Sequence, residues 1–411
     1  MDNTILVACD LHDKNMRIHN AVGRGPVKKQ TVENDVNGRK ALIAQLRQQA
    51  AQLGGARIVF AYEASGAGFG FYDELTAAGI EGHVLAPSNI ARSPQHRRNK
   101  FDDRDTARIL ELLRGHVLGG NPLPDVWIPD LQTRDDREIV RARLDAQAKC
   151  SKLKAQIRAL CKRNSVVRPQ AAGKGWTTAY CAWLKLLAEC AEPLGLGARC
   201  ALSSLLRQLE HQQHEVKMLD AEIKKLSKAE RYAAAVLELN TVLKSKGLLI
   251  AMAFLTEMGD LTRFKNRRQV GAYLGVVPSA NESGETDDRK GHITHQGPAR
   301  VRYVLCQAVW NLVKHDTQEK IIYERIVKKN PKHKKIAVVA SMRRLAVRLW
   351  HAGLRVKKTA QNKIAEVVGR NKDAFKAQWN GSTKKKAHAQ AKACALPSSR
   401  RVTRQCCPAR A

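Results

Sequence analysis

Hydrophobic and polar residues follow the two-residue period of β-strands at the start of the chain. An apolar, β-prone run over residues 4–9 ends in Asp10. Two further alternating stretches follow it, Asn15–Val22 and Val27–Val36, with polar residues between them. This succession predicts a three-stranded meander whose first strand ends in a carboxylate.

A helical period then alternates with further strands. Apolar residues recur at helical spacing from Leu42 to Leu53, and we expect Asn37 to cap this helix. The next elements are a strand, a helix, a strand and a helix, predicted at about residues 57–62, 68–78, 83–86 and 102–113. The first of these strands is followed directly by Glu63. The order of elements, with acids at strand ends, is that of the RNase H-like α/β fold.

The middle of the chain changes to helical patterning. From Leu202 to Leu226 apolar residues alternate at spacings of three and four, which predicts a short coiled coil. A helix at about 134–163 is its expected antiparallel partner. The pair forms either a projecting arm that dimerises or two helices of one bundle. We therefore predict four regions: an RNase H-like domain, a helical coiled-coil domain, a mainly helical C-terminal domain with a polar insertion at 277–298, and a basic tail. They span residues 1–130, 131–240, 241–372 and 373–411.

The net charge indicates which kind of molecule the protein binds. The 411 residues include 72 Lys and Arg against 38 Asp and Glu, a formal charge of +34, which a folded protein tolerates best when a polyanion screens it. A membrane surface is the rival partner, but no apolar run is long enough to span a bilayer. We expect a bacterial, cytoplasmic protein associated with the nucleoid. The ten cysteines are scattered without metal-ligand spacing and favour buried free thiols.

Four carboxylates form the candidate catalytic set. Asp10 and Glu63 end two apolar strands, and Asp102 and Asp105 are three apart at the start of a helix. Each acid alone is more often a solvated charge or a helix cap. Together they have the chemistry of a site for Mg²⁺ or Mn²⁺, because crowded carboxylates need cations to neutralise them. Asp13 and Asp103 are alternative ligands.

Several short motifs resemble a known family. They are Ala8-Cys9-Asp10-Leu11-His12, Tyr62-Glu63-Ala64-Ser65-Gly66, the run from Lys100 to Arg108, and the C-terminal pieces Phe264-Lys265, Tyr273 to Pro278, Ser283-Gly284, Gly291-His292-Ile293 and Gly297. In this order they resemble the DEDD transposases of the insertion-sequence "one-ten" family, including its second major subgroup. This chain departs from the family at Phe101, where Thr is common, and at Lys246 to Leu249, where the family has a Pro-Gly-Ile-Gly hairpin.

The resemblance implies that residues 1–130 form a RuvC-like domain, and it implies specific roles for individual residues. Asp10, Glu63, Asp102 and Asp105 would be the metal ligands, and Ser283 the nucleophile, with Ser279 as its nearest rival. A noncoding bridge RNA would pair with donor and target DNA, and the protein would act as a homodimer or homotetramer. The expected nucleic-acid contacts are Lys100, Arg104, Arg289, Lys290, Arg300 and Arg302. His292 and His295 lie on a polar loop, where histidines are more often neither ligands nor acids.

These features predict a transposase or site-specific recombinase that forms a phosphoserine intermediate. Two alternatives stay open. The same acids could serve a RuvC-like junction resolvase or nuclease that uses water as nucleophile. The acids could also cap helices in a noncatalytic RNA- or DNA-binding protein.

Overall fold

The computed structural model describes residues 3–90, 102–190, 192–244, 247–280, 290–329, 331–357 and 359, apart from the side chains of Asp102, Ala280 and Lys290. Two compact units divide between Asp130 and Leu131. The predicted tail at 373–411 lies outside the described residues. No helix in the described part of the chain combines the length and the apolar character needed to cross a lipid bilayer.

The first unit is built on a mixed five-stranded sheet. Its strands are β1 (Ile5–Leu11), β2 (Asn15–Val22), β3 (Lys28–Glu33), β4 (Ile58–Glu63) and β5 (Glu81–Leu85), in the order β3-β2-β1-β4-β5. β1 pairs antiparallel with β2 and parallel with β4, so it is the central strand. Its burial on both faces explains the unbroken apolar run that predicted it.

Helices cover both faces of this sheet. The helices α1 (Val36–Gln52) and α2 (Gly70–Ala77) pack on one face, where Leu46 and Leu75 meet Val7 and Phe60. On the other face, α3 (Asp102–Gly119) places Ile109 against the small side chains of β1 and β4. The predicted mixed α/β organisation of this region is confirmed.

The cap of α1 differs from the prediction. Asp35, not Asn37, precedes the helix, and its carboxylate accepts a hydrogen bond of 2.6 Å from the Gly38 amide. Asn37 lies inside the first turn. Both residue types cap helices well, and the end of β3 at Glu33 leaves Asp35 at the position where the chain turns.

The second unit is mainly helical, as predicted. Its helices are α4 (Leu131–Arg163), α5 (Thr178–Glu189), α6 (Leu196–Leu226), α7 (Glu230–Val242), α8 (Leu248–Met258), α9 (Arg267–Tyr273), α10 (Ala299–His315), α11 (Thr317–Lys329) and α12 over residues 334–357. The apolar helix α8 is almost wholly buried at the centre of the main core. The residues of α10 and α12 pack around it.

The long helices α4 and α6 lie antiparallel along each other. Arg143, in the first half of α4, pairs with Asp220, near the end of α6, with Nε to Oδ1 at 2.7 Å. At the other end, Ile157 shares a core with Leu202 and Leu209. The two helices and α5 thus form a hairpin, while its assignment as a coiled coil stays a prediction.

A short β-hairpin lies within the polar insertion. β6 (Pro278–Ala280) and β7 (Lys290–Ile293) pair antiparallel, and sequence patterning did not predict them. Their residues are too few and too polar to show an alternating pattern. The hairpin flanks residues 281–289, which lie outside the described part of the chain.

Candidate active site

Asp10 and Glu63 occupy equivalent positions on neighbouring parallel strands. Cys9 of β1 is the register partner of Tyr62 of β4, so each acid follows one member of that pair. Ala8 and Ala61, two residues earlier, face the core beneath α3. Because side chains alternate along a strand, both carboxylates project on the α3 face at one edge of the sheet.

The start of α3 brings further acids to this face. Asp102 is its first residue, and its side chain is not among those described. Thr106 is fully buried, whereas Asp105 beside it is half-buried. Asp105 lies about 200° round the helix from Asp103. It therefore projects from the opposite flank of α3.

Asp103 fixes α3 to the two outer strands. Its Oδ1 lies 2.8 Å from Nε2 of the buried His19 on β2, and its Oδ2 accepts a 2.8 Å hydrogen bond from Nζ of Lys29 on β3. The bonds from Lys29 and then His19 lower the pKa of the Asp103 carboxyl below its ordinary 3.8. Asp103 is thus held on the β2–β3 side, and the opposite flank with Asp105 is turned towards β4.

Two neighbours of Asp10 complete the local chemistry. Nε2 of His12 lies 3.2 Å from Oδ2 of Asp10, whose side chain is 16% exposed. Burial, and then the charge of Asp10, raises the pKa of the Cys9 thiol well above 9.0. Cys9 therefore stays protonated and is not a thiolate nucleophile. The sequence singled out neither His12 nor His19. The partner of His19 depends on the register of β2 and on where α3 lies.

The donor set suits a hard cation but is incomplete among the described side chains. Within that set, no three His, Cys, Asp or Glu side chains are grouped closely enough to hold a metal ion. Asp10 and Glu63 nevertheless offer carboxylate oxygens from adjacent strands, which are the ligands that Mg²⁺ and Mn²⁺ prefer. A third ligand would come from α3, whose Asp102 side chain lies outside the described set.

The second candidate segment surrounds the β6–β7 hairpin. Ser283 and Arg289 lie outside the described residues, as does the side chain of Lys290. The rival Ser279 is on β6, and its hydroxyl donates a 3.0 Å hydrogen bond to the carbonyl of His292. A Cβ at Gly291 would lie only 2.4 Å from Ser279 Oγ, so a side chain there would move the serine hydroxyl out of this position.

The base of the hairpin is a tightly packed corner. Gly275 and Gly297 both have positive φ, and a Cβ on Gly297 would lie 1.8 Å from the carbonyl oxygen of Tyr273. Nη1 of Arg302 donates to the carbonyls of Leu274, Gln296 and Gly297 at 3.0–3.1 Å. Arg302, predicted as a phosphate contact, thus holds the two ends of the loop together.

The other predicted cationic contacts occupy different settings. Arg300 is half-exposed and binds both carboxylate oxygens of Asp145 on α4, at 3.0 and 2.9 Å. Arg104 is an exposed residue of α3, and Lys100 lies outside the described residues.

Asp13, the alternative metal ligand, is exposed in the turn between β1 and β2.

Comparison with known proteins assigns the family. A sequence model described as "Transposase", of the DEDD IS110 type, matches residues 9–164. A second, described as "Transposase IS116/IS110/IS902 family", matches residues 241–324. Together the two matches span more than half of the chain. The chain belongs to the IS110 family of DEDD transposases.

Relatives of this IS110-family chain bear matching names. "Putative transposase y4qE" of Sinorhizobium fredii (strain NBRC 101917 / NGR234) is 31% identical over 62% of this chain and 58% of its own length. "Putative transposase y4rJ" of the same strain is 27% identical over 77% and 83%. "Transposase for insertion sequence element IS1111A" of Coxiella burnetii (strain RSA 493 / Nine Mile phase I) is 23% identical over 62% and 65%. The chain thus aligns with less than two thirds of the length of the first and third of these relatives.

The family matches contain both candidate segments. Asp10, Glu63 and the first turns of α3 lie in the first match, and the Gly275–Gly297 corner with Arg302 lies in the second. The resemblance inferred from the short motifs is thereby confirmed at the level of the IS110 family.

Proposed function

We propose that this protein is a metal-dependent DNA transposase that excises and integrates a mobile element. The observation that carries the proposal is the placement of Asp10 and Glu63 on adjacent parallel strands, facing the same side at one edge of the sheet. The strand order and the covering helices are compatible with an RNase H-like fold. We assign that fold to the first unit.

Asp10, Glu63, Asp102 and Asp105 would hold two divalent cations, most simply Mg²⁺. When bound, such cations neutralise charge that develops on the scissile phosphate. The bonds from Asp103 to His19 and Lys29 position α3, so that its remaining acids are turned towards β1 and β4. His12 lies against Asp10 and orients that carboxylate.

The nucleophile we propose is the hydroxyl of Ser283. Its oxygen forms a bond to phosphorus while the P–O bond to one strand breaks and the serine proton passes to solvent. The departing oxygen keeps the electron pair of that bond and takes a proton from solvent, so that the strand leaves with a hydroxyl end. Attack by the hydroxyl of a different strand then releases the serine. The corner built on Gly275, Gly297 and Arg302 supports this role, because it anchors both ends of the loop that carries Ser283.

The partners follow from the family resemblance and the charge. We propose donor and target DNA duplexes, a noncoding bridge RNA that selects them, and a homodimer or homotetramer as the active assembly. The net charge of +34 supports polyanionic partners. The α4–α6 hairpin would be the coiled-coil arm, between a RuvC-like domain at 1–130 and a serine domain at 241–372.

Covalent trapping tests the proposal. Full-length protein is incubated with Mg²⁺, the RNA that copurifies with it and DNA carrying the element ends, and adducts are then separated under denaturing conditions. We expect a protein–DNA adduct that Ser283→Ala abolishes and Ser279→Ala retains. Adduct formation by Ser283→Ala would refute the nucleophile assignment.

Two alternatives give different outcomes in the same experiment. A RuvC-like nuclease that activates water would cut the DNA without any adduct. A noncatalytic nucleic-acid-binding protein would neither cut nor form an adduct. Sequencing of the copurified RNA provides a separate test of the bridge-RNA proposal.

A further inference from the structure

Acidic residues are missing from one long segment of the second unit. Between Asp145 and Glu189 the sequence has no Asp or Glu, and it has nine Lys and Arg. This segment forms the second half of α4, the connection to α5 and most of α5. The distal half of α4, the connection and most of α5 therefore carry nine positive charges and no carboxylate side chain.

Six of these cations lie along α4 in two rows. Lys154, Arg158 and Lys162 are four residues apart, so they follow one side of the helix at intervals of about 6 Å. Lys149, Lys152 and Arg163 follow the other side. The buried residues Leu153, Ile157 and Leu160 lie on the face turned to α6, and both rows flank the opposite, exposed face.

Small residues separate the two rows. Ala148, Ser151, Ala155 and Ala159 form the centre of the exposed face, and all four are exposed. We call this strip and its six flanking cations the basic face. A partner can approach the helix closely along the strip, because no long side chain stands between the rows. It would then meet cations on both sides.

Among the described residues, no carboxylate pairs with the cations of the basic face. None of the six has an ion pair in the described part of the chain, whereas Arg141 and Arg143 earlier in α4 bind Glu257 and Asp220. Lys154 and Arg158 lie 5.3 and 5.6 Å from the ring centroid of Trp176. The indole holds these two cations near the exposed face without neutralising them.

We propose that the basic face binds the phosphate backbone of a nucleic-acid duplex. A rod of closely spaced negative charge matches two parallel rows of cations, and counterion release favours such contacts. The basic face shares no residue with the candidate metal site or with the β6–β7 segment. It extends the proposed function by assigning a duplex-binding surface to the arm.

The chemistry of the strip disfavours other occupants. A helix that binds a membrane surface needs a large apolar face, and the exposed strip offers only Ala and Ser. A protein partner with an acidic groove would also fit the charge. It would not produce the steep salt dependence that phosphate contacts cause.

Salt titration of duplex binding tests the proposal. The triple variant Lys149→Gln, Lys152→Gln, Arg163→Gln removes cations whose side chains have no hydrogen bond or ion pair in the described structure. Full-length protein binds a labelled random-sequence duplex between 50 and 200 mM salt, and log K is plotted against log salt concentration. We expect the magnitude of the slope to fall by about 2.7.

A matched control removes the same charge elsewhere. Lys217, Lys224 and Lys228 are exposed at the far end of α6 and likewise have no ion pair within the described chain. Their triple replacement by Gln should leave the slope within about 0.5 of the parent value. Equal losses in both triples would overturn the proposal, since net charge alone would then explain the binding.

A second pair of variants tests the strip itself. Ala155→Glu places a carboxylate between the two rows and should weaken duplex binding at least about tenfold, while Ala221→Glu on α6 should not. Parallel arms with DNA duplex, RNA duplex and anionic vesicles identify the ligand. Preferential binding of vesicles, or no loss with Ala155→Glu, would refute the proposal. These readouts do not depend on strand cleavage, so they stand apart from the test of the active site.

Discussion

Asp10 and Glu63 each lie one residue beyond the register pair Cys9 and Tyr62, on parallel strands that are neighbours in the sheet. The chain travels through β2, β3 and α1 between them. Two acids distant in sequence therefore share one edge and one face. This relationship is the geometric basis of the proposed metal site.

Loss of either acid should abolish strand cleavage and spare the fold. Asp10→Asn and Glu63→Gln keep the shape of each side chain and remove its charge. We expect cleavage to fall by more than the 10- to 100-fold that loss of an outer partner of a metal ligand costs. The melting temperature should change by only a few degrees. The control is Asp13→Asn, in the exposed turn after β1, and full cleavage by Asp10→Asn would contradict the assignment.

Asp103 should contribute stability that depends on pH. Lys29 and His19 depress the pKa of its carboxyl below 3.8 in the folded protein. The contribution is thus present above the pKa of the unfolded chain, and it is lost as pH falls through the folded pKa. Urea midpoints of the parent and Asp103→Asn should differ at pH 6 and converge near pH 2. A difference that does not change with pH would show that the charge of Asp103 has no such role.

The corner at Gly297 should not tolerate a side chain. Gly297 has φ +77, and a Cβ there would meet the Tyr273 carbonyl at 1.8 Å. Gly297→Ala combines a left-handed backbone with a clash, so we expect a loss of about 2 kcal/mol or more in the free energy of unfolding. Gly175, with φ +87 and nothing within 4 Å of its Cβ, isolates the backbone effect. Its replacement by Ala should cost about 1–2 kcal/mol, and equal costs at both positions would contradict the clash.

Loss of the buried Glu257 carboxylate should lower the free energy of unfolding far more than loss of an exposed ion-paired carboxylate in the same unit. Its side chain is 6% exposed and binds Nε and Nη2 of Arg141 at 2.7 and 3.0 Å. Glu257→Ala removes the carboxylate that lies 3.9 Å from Nε of the buried Arg137, as well as a partner of the half-exposed Arg141, and should cost about 3–5 kcal/mol. Asp145→Ala, which removes the half-exposed partner of Arg300, should cost about 1 kcal/mol or less. Chemical unfolding of both variants measures the contrast.

The sequence predicted those elements whose signal is local. β1 and β4 were recognised because both faces are buried, which makes their residues continuously apolar. α3 was recognised from its spacing of buried leucines, although it continues to Gly119 instead of ending near residue 113. Local signals also located Asp10 and Glu63, since each is one of the last two residues of such a strand.

Contacts between residues that are far apart in the chain could not be predicted from the sequence. The bonds from Asp103 to His19 and Lys29 depend on the register of β2 and β3 and on where α3 lies. The β6–β7 hairpin depends on Arg302 and on two glycines that bring its ends together. No spacing rule relates these residues, so Arg302 was interpreted as a phosphate contact.

Because β1 and β4 are adjacent in the sheet but distant in the chain, a break between them would place the two candidate metal ligands on different fragments. A break at Gly54-Gly55, the exposed turn after α1, would leave Asp10 on one fragment and Glu63 on the other. Neither fragment holds both carboxylates, and only reassembly of the central strands would reunite them. A cut at this turn would therefore give two complementing fragments, each of them inactive until they associate.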